Sequence, residues 1–215
     1  MIEAELKARV RAPEAVARAL DERGEGRSET YQDTYYDLPD GTLAARDEEL
    51  RLRYLADHGT GDRRTLLTFK AAAVDDASGS KPEYETRVGD SQNAHAILEH
   101  LGYIPAIVFE KRCRSHAFEA YGRPMLATLV RVPELDGTFL EIETLVEEAE
   151  VGAALDDLRA VLEELGVSPE DLTRELYTEA VAAARCTSTA ARRTSGPETR
   201  SRTGTGTGTG TGTNT

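Results

Sequence analysis

Cysteine is scarce in this 215-residue chain. Cys113 and Cys186 are the two present, which is too few for a disulfide framework and gives no metal-ligand spacing. A reduced, cytoplasmic compartment is the expectation. No run of about 18 apolar residues occurs, so no helix is expected to span a membrane. The opening MIEAELKARV lacks a basic start followed by an apolar stretch, so no secretory signal is expected. Basic residues are outnumbered, 26 Lys and Arg against 39 Asp and Glu, for a formal charge of −13. A general nucleic-acid binder needs a basic surface, and this balance argues against one. Apolar residues reach only 39%, somewhat low for a compact protein, which points to some residues staying outside the fold. No internal repeat stands out.

The missing order is expected at the C-terminus. Five arginines against one glutamate leave residues 185–215 at +4 and residues 1–184 at −17. That tail has no aromatic or branched aliphatic side chain and closes in Gly-Thr alternation, so it cannot bury enough apolar area to offset its ordering entropy. Residues 1–184 are therefore expected to form the folded domain, and 185–215 a disordered tail.

Within the domain, helices are expected over Ala12–Arg23, Ser91–Leu101 and Glu147–Leu165, each with apolar residues at helical spacing and a glycine after it. Ser168-Pro169-Glu170-Asp171 reads as the capped start of a last helix through about Ala184. Between the helices the period drops to two. Strands are expected over Ile2–Val10, Thr34–Asp37, Glu49–Leu55, Thr65–Lys70, Glu83–Val88, Ile107–Ala117, Met125–Val132 and Thr138–Thr144. Several strands run back to back between helices, which suggests antiparallel pairing in an α+β domain.

One face of several strands carries charge. Glu3, Glu5 and Lys7 share a face opposite Ile2, Ala4 and Leu6. Arg51 and Arg53 lie opposite Leu50 and Leu52, and Glu141 and Glu143 opposite Leu140 and Ile142. Glu83 and Glu85 repeat the pattern, and Lys70 ends a strand whose other face carries Leu67 and Phe69. A solvated face explains any one of these. Same-sign pairs on strand after strand are different, because like charges so close repel unless opposite charge sits between them. A wide barrel can have a polar interior, so these faces are expected to line one cavity. Carboxylates without His or Cys suit Mg²⁺ or Mn²⁺, and converging Arg and Lys suit a polyphosphate. A metal-bridged triphosphate satisfies both.

The order Glu3-Ala4-Glu5-Leu6-Lys7, Gln32-Asp33-Thr34-Tyr35-Tyr36-Asp37, Leu50-Arg51-Leu52-Arg53, Leu67-Thr68-Phe69-Lys70, Glu83-Tyr84-Glu85, Glu110-Lys111-Arg112 and Phe139-Leu140-Glu141-Ile142-Glu143 resembles the CYTH superfamily. That superfamily groups class IV adenylate cyclases with thiamine and inorganic triphosphatases, and the resemblance covers about residues 1–180. It implies an eight-stranded antiparallel β-barrel, a triphosphate tunnel, with flanking α-helices. It also implies Glu3, Glu5, Glu141 and Glu143 as metal carboxylates for Mg²⁺ or Mn²⁺. Lys7, Arg51, Arg53, Lys70 and Lys111 would bind the triphosphate, with Glu83 and Glu85 on the wall and Glu3, Glu5, Lys7 and Lys111 nearest the chemistry. Cys113 stands where members often show an arginine, so Arg112 or Arg114 is expected to substitute, through a bulge. The strand over Met125–Val132 lacks the aspartate members often carry.

Three functions follow from the resemblance: cyclisation of ATP to cyclic AMP and pyrophosphate, hydrolysis of inorganic or thiamine triphosphate, or noncatalytic sensing of a polyphosphate or nucleotide. The partner is a small triphosphate in each case, and a homodimer stays open. His58, His95, His100 and His116 do not cluster and are read as surface or structural residues. Cys113 reads as a small buried residue. Tyr35, Tyr36 and Tyr177 are read as barrel packing in preference to stacking on a base or thiamine ring.

Overall fold

The computed structural model describes residues 2–75 and 79–194, with the side chains of 189–194 left aside. Eight strands close into an antiparallel barrel: β1 (Ile2–Arg9), β2 (Gly26–Asp37), β3 (Glu49–Asp57), β4 (Arg63–Lys70), β5 (Lys81–Val88), β6 (Ile104–Ala120), β7 (Arg123–Arg131) and β8 (Phe139–Val146). Their order around the wall is β1-β5-β4-β3-β2-β6-β7-β8. Five helices flank it: α1 (Pro13–Asp21), α2 (Thr42–Ala45), α3 (Ser91–His100), α4 (Val151–Glu164) and α5 (Tyr177–Thr194).

The apolar core lies outside the barrel wall. Ile2, Ala4, Leu6 and Ala8 of β1 pack with Leu140 and Ile142 of β8 against Leu155, Leu158 and Leu162 of α4 and against Val16 and Leu20 of α1. A second cluster seats Ala94 and Leu98 of α3 on Tyr36, Leu50 and Leu52. Period-two alternation therefore sends hydrophobes outward to the helices and charge inward, the reverse of a small filled barrel. A third cluster, Phe109, Cys113, Val130, Val132 and Phe139 with Tyr177 and Val181 of α5, fills one end.

Strand ends differ from the sequence expectation where polar residues are buried. β2 begins at Gly26, eight residues before its expected start at Thr34. The part before Thr34 presents Glu29 and Asp33 inward, 3% and 0% exposed, which hydrophobic alternation does not register. The expected last helix is also corrected. Ser168-Pro169-Glu170-Asp171 opens only a single 3₁₀ turn at Pro169–Asp171. The chain then runs extended, because Leu172 bridges Ala8 and the Thr173 N–H donates to the Lys7 carbonyl at 2.8 Å. That edge of β1 is free, since β5 pairs only with Ile2 and Glu3. Helix resumes at Tyr177 and continues to Thr194, so the expected boundary at residue 185 falls inside α5. Residues 195–215 of the expected tail lie outside the described residues.

Candidate active site

Register decides which charges meet inside the barrel. Most interior positions pair with their opposites. Lys70 stands between Glu49 of β3 and Glu83 of β5, Arg53 faces Asp33 of β2, and Lys7 faces Glu141 of β8. Two positions that line the cavity stand out. Glu5 sits directly opposite Glu143, a like-charge pair that costs stability unless a cation lies near. Arg51 has Tyr35 and Thr68 as its cross-strand neighbours. The interior is a cavity of about 550 Å³, and both positions line it.

The acidic position is a cluster. One carboxylate oxygen each from Glu3, Glu5 and Glu143 lies within 4.8 Å of the others. Opposite ligands on an ion bound at about 2.1 Å stand about 4.2 Å apart, so three hard oxygen donors at this spacing fit Mg²⁺ or Mn²⁺. Burial raises the pKa of Glu3 and Glu5 above the ordinary value even though Lys70 opposes it. Burial, with the charges of Glu3 and Glu5 added, holds Glu143 well above the carboxylate range. Glu141 departs from the expected metal set. Burial pulls its pKa up, but Lys111, at 3.8 Å, with Lys7 and Arg53, wins and lowers it. Its register partner is a cation, so it stays ionised without a metal.

The basic positions divide likewise. Arg53 was expected to bind triphosphate, but its Nε and one terminal nitrogen each donate to Asp33 at 2.7 Å in a buried bidentate pair. Burial alone would raise the Asp33 pKa, and Arg53 with Arg51 and Lys111 instead holds it far below the carboxylate range. Arg53 is thus largely a structural cation. Arg51 is as buried, at 8% exposed, and makes no ion pair among the described residues. It reaches Thr68 Oγ1 at a long 3.4 Å and interacts with Tyr35, and its Nε is buried without a partner among the described residues. Its buried Nε is left for an anion in the cavity.

Lys7 and Lys111 flank the Tyr177 ring, with Nζ atoms 4.5 and 4.2 Å from its centroid. That ring stands edge-on to Phe139 at 5.2 Å. Burial, then the Glu141 carboxylate, pushes the Tyr177 hydroxyl well above its ordinary pKa. Lys70 Nζ bonds Glu3 and lies 3.1 Å from Glu83 and 3.7 Å from Glu5. Glu83 and Glu85 line the wall as expected, Glu85 accepting from Thr68 Oγ1 at 2.9 Å.

Arg112 and Arg114 do not enter the cavity. β6 stays in register across 111–114, its one irregularity lying at Tyr35/Tyr36, so no bulge turns either arginine inward. Arg112 pairs with Glu110 at 3.0 Å and Arg114 with Asp21 at 2.7 Å on the outer surface. Cys113 is buried, and burial pushes its thiol up to about 12. The inward positions of β7 near the site, Leu126 and Thr128, carry no carboxylate.

Several site residues escaped the sequence. Asp33 lies within a motif that assigns it no role, and Tyr177 reads from the sequence as packing. Lys81, buried and lining the same cavity, donates to the Asp47 carbonyl at 2.7 Å and to Glu49 at 3.0 Å. Tyr35 stacks on Phe109 at 5.7 Å, and Tyr36 lies outside against His95. His116 is fully buried and meets Asp21 at 2.9 Å, a structural pairing as expected.

The CYTH domain model matches residues 1–177. The chain belongs to the CYTH family. A Methanocaldococcus jannaschii protein provisionally named an adenylate cyclase is 25% identical over 184 residues, which is 83% of this chain and 98% of that one. The Pyrococcus horikoshii protein PH1819 is similar in structure, with a TM-score of 0.72 and 29% identity over 84% of this CYTH chain and 98% of its own. A Hippeastrum protein provisionally named an adenylyl cyclase, and described as having a dominant triphosphatase activity, shares the fold at a TM-score of 0.58 and 16% identity, over 85% and 95%. Among the described residues no helix is long and apolar enough to cross a membrane.

Proposed function

We propose that this CYTH protein is a divalent-metal-dependent enzyme acting on a triphosphate, with ATP as substrate and cyclic AMP and pyrophosphate as products. One observation carries the reading. Lining the cavity, Glu5 and Glu143 face each other across β1 and β8 and call for a cation, while the buried Arg51 makes no ion pair among the described residues and calls for an anion. A triphosphate holding Mg²⁺ or Mn²⁺ supplies both to one 550 Å³ cavity.

Glu3, Glu5 and Glu143 would hold the metal, which supplies charge neutralisation for the phosphates when bound. Arg51 would take phosphate oxygens through its unpartnered Nε. Lys7 and Lys111, fixed over the Tyr177 ring, would face the departing β and γ groups. In cyclisation the ribose 3′-oxygen bonds the α-phosphorus as the bond to the β-phosphate oxygen breaks. Pyrophosphate leaves with the electron pair, and the hydroxyl proton passes to it or to solvent. The provisional cyclase name of the Methanocaldococcus jannaschii relative supports this reading.

A second reading is hydrolysis of inorganic or thiamine triphosphate. It is favoured by the aromatic rings of the cavity, which are already engaged: Tyr31 under Arg53 at 4.6 Å, Tyr35 on Phe109, and Tyr177 between two lysines. These contacts compete with stacking on a base.

Purified protein should be incubated with Mg²⁺ and then Mn²⁺ against ATP, inorganic triphosphate and thiamine triphosphate, with products resolved by chromatography. Cyclic AMP with pyrophosphate is the expected result. Orthophosphate from either other substrate replaces it with the hydrolase, and tight binding without turnover makes the protein a sensor.

A further inference from the structure

Lys70 occupies an unusual position for a residue expected to bind phosphate. Its side chain is 16% exposed, and its ammonium sits among acids. It bonds Glu3, lies 3.7 Å from Glu5 and 3.1 Å from Glu83, and two of those three carboxylates belong to the cluster spaced for a divalent ion. A divalent cation held by Glu3 and Glu5 would stand a few ångströms from this ammonium. At such separations in a poorly solvated interior like charges repel strongly, so the ion and this ammonium compete for the same Glu3 and Glu5 oxygens.

We propose that Lys70 is an internal counterion for the metal carboxylates, displaced when the divalent ion binds and thereby released to the triphosphate. This rests on the metal-triphosphate reading above. Two features give the released ammonium somewhere to go. Lys70 is the last residue of β4, on a flexible four-carbon stem, and Arg51 lies close enough that its charge bears on Lys70. Swinging off Glu3 and Glu5 brings a second cation beside the unpaired guanidinium, where an anion satisfies both. The metal thus creates affinity for the anion, and by linkage the anion creates affinity for the metal. Direct attraction between metal and phosphate also couples the two ligands. What distinguishes the counterion is that removing Lys70 acts on them with opposite signs.

The test titrates Mn²⁺, by calorimetry and by electron paramagnetic resonance, into wild-type protein, Lys70→Met and Lys70→Gln. Each titration is run with and without the imido analogue of inorganic triphosphate and corrected for the Mn²⁺ complex formed in solution. In the absence of the anion, both variants are expected to bind Mn²⁺ about 10-fold tighter than wild type. Their affinity for the metal-free anion should fall, and the enhancement of anion binding by metal, expected in the range of about 5–150-fold for wild type, should shrink. Lys70→Gln keeps a hydrogen-bond donor to Glu3, so one variant remains readable if the apolar one does not fold. Unchanged or weaker Mn²⁺ binding in a folded variant overturns the counterion. Absence of Mn²⁺ binding from all three proteins, with and without the anion, overturns the metal reading itself.

Discussion

The Arg53–Asp33 pair sets the sharpest prediction, because the resemblance reads Arg53 as a phosphate ligand and the geometry reads it as a structural cation. Arg53→Met keeps most of the stem and removes the guanidinium. Asp33, 0% exposed, then loses both 2.7 Å bonds while its other neighbours, Arg51 and Lys111, stay at longer range. Leaving one member of a buried pair unpaired costs about 3–5 kcal/mol. A chain of this size loses about 2–4 °C of Tm per kcal/mol, so a fall on the order of 6–20 °C is expected. The loss should depend on pH in a set direction. In wild type the Asp33 pKa is depressed, so its stabilising contribution is present above the ordinary value of 3.8 and disappears as pH falls through the lower folded value. In Arg53→Met burial is largely unopposed and raises that pKa. The variant is therefore least stable at neutral pH and regains ground on wild type as pH falls toward 4. Arg53→Met/Asp33→Asn removes the stranded charge and should recover a large part of the loss. Arg51→Met strands no carboxylate, and should lower triphosphate affinity with a much smaller change in Tm. Melts from pH 4 to 8 with calorimetric titration of triphosphate check all four proteins. Arg53→Met melting within about 3 °C of wild type while losing triphosphate binding would refute the reasoning.

Glu143→Gln removes the like-charge contact with Glu5, so it is expected to raise the Tm of metal-free protein at pH 8 while abolishing Mg²⁺-dependent turnover. Unchanged turnover would remove Glu143 from the metal set. Metal-free wild type should lose stability as pH rises above the ordinary carboxylate value of 4.5, because Glu3, Glu5 and Glu143 have raised folded pKa values and favour their protonated forms. Millimolar Mg²⁺ should cancel that loss, and melts with and without chelator measure it. Leu158→Ala, at a fully buried position of α4 against β1, should cost about 2–5 kcal/mol in urea unfolding without altering metal affinity in the folded protein. Truncation after Ala184 removes Arg185, which is bidentate to Glu134 and donates to the Val108 carbonyl, and these half-exposed contacts should cost no more than about 1 kcal/mol by melting.

The sequence revealed most where a strand presents pure charge on one face and pure hydrocarbon on the other. Ile2, Ala4 and Leu6 against Glu3, Glu5 and Lys7 made β1 plain, and the same contrast marked β3 and β8. The part of β2 before Thr34 was illegible because Glu29 and Asp33 are buried by ion pairs with Arg64 and Arg53, and those pairs exist only after the sheet closes. The stretch 172–176 was misread for the opposite reason. Its local helix signals at 168–171 are real but are spent in one 3₁₀ turn, and a tertiary hydrogen bond to Lys7 then outweighs the local preference for helix.

For the site, parity along each strand was enough to say which charges face inward, but not which of them meet. That depends on register between strands far apart in sequence. Arg51 and Arg53 are indistinguishable in Leu-Arg-Leu-Arg, yet one lands opposite Tyr35 and the other opposite Asp33. Glu141 and Glu143 are as alike, and register puts Lys7 across from the first and Glu5 across from the second. The shift of two residues that separates each pair also separates a structural charge from a ligand-seeking one. Within one strand, then, the neighbour that completes an ion pair holds the barrel together. The one left without a partner is where the barrel has affinity to spend, so mutations at the two members should divide between stability and binding.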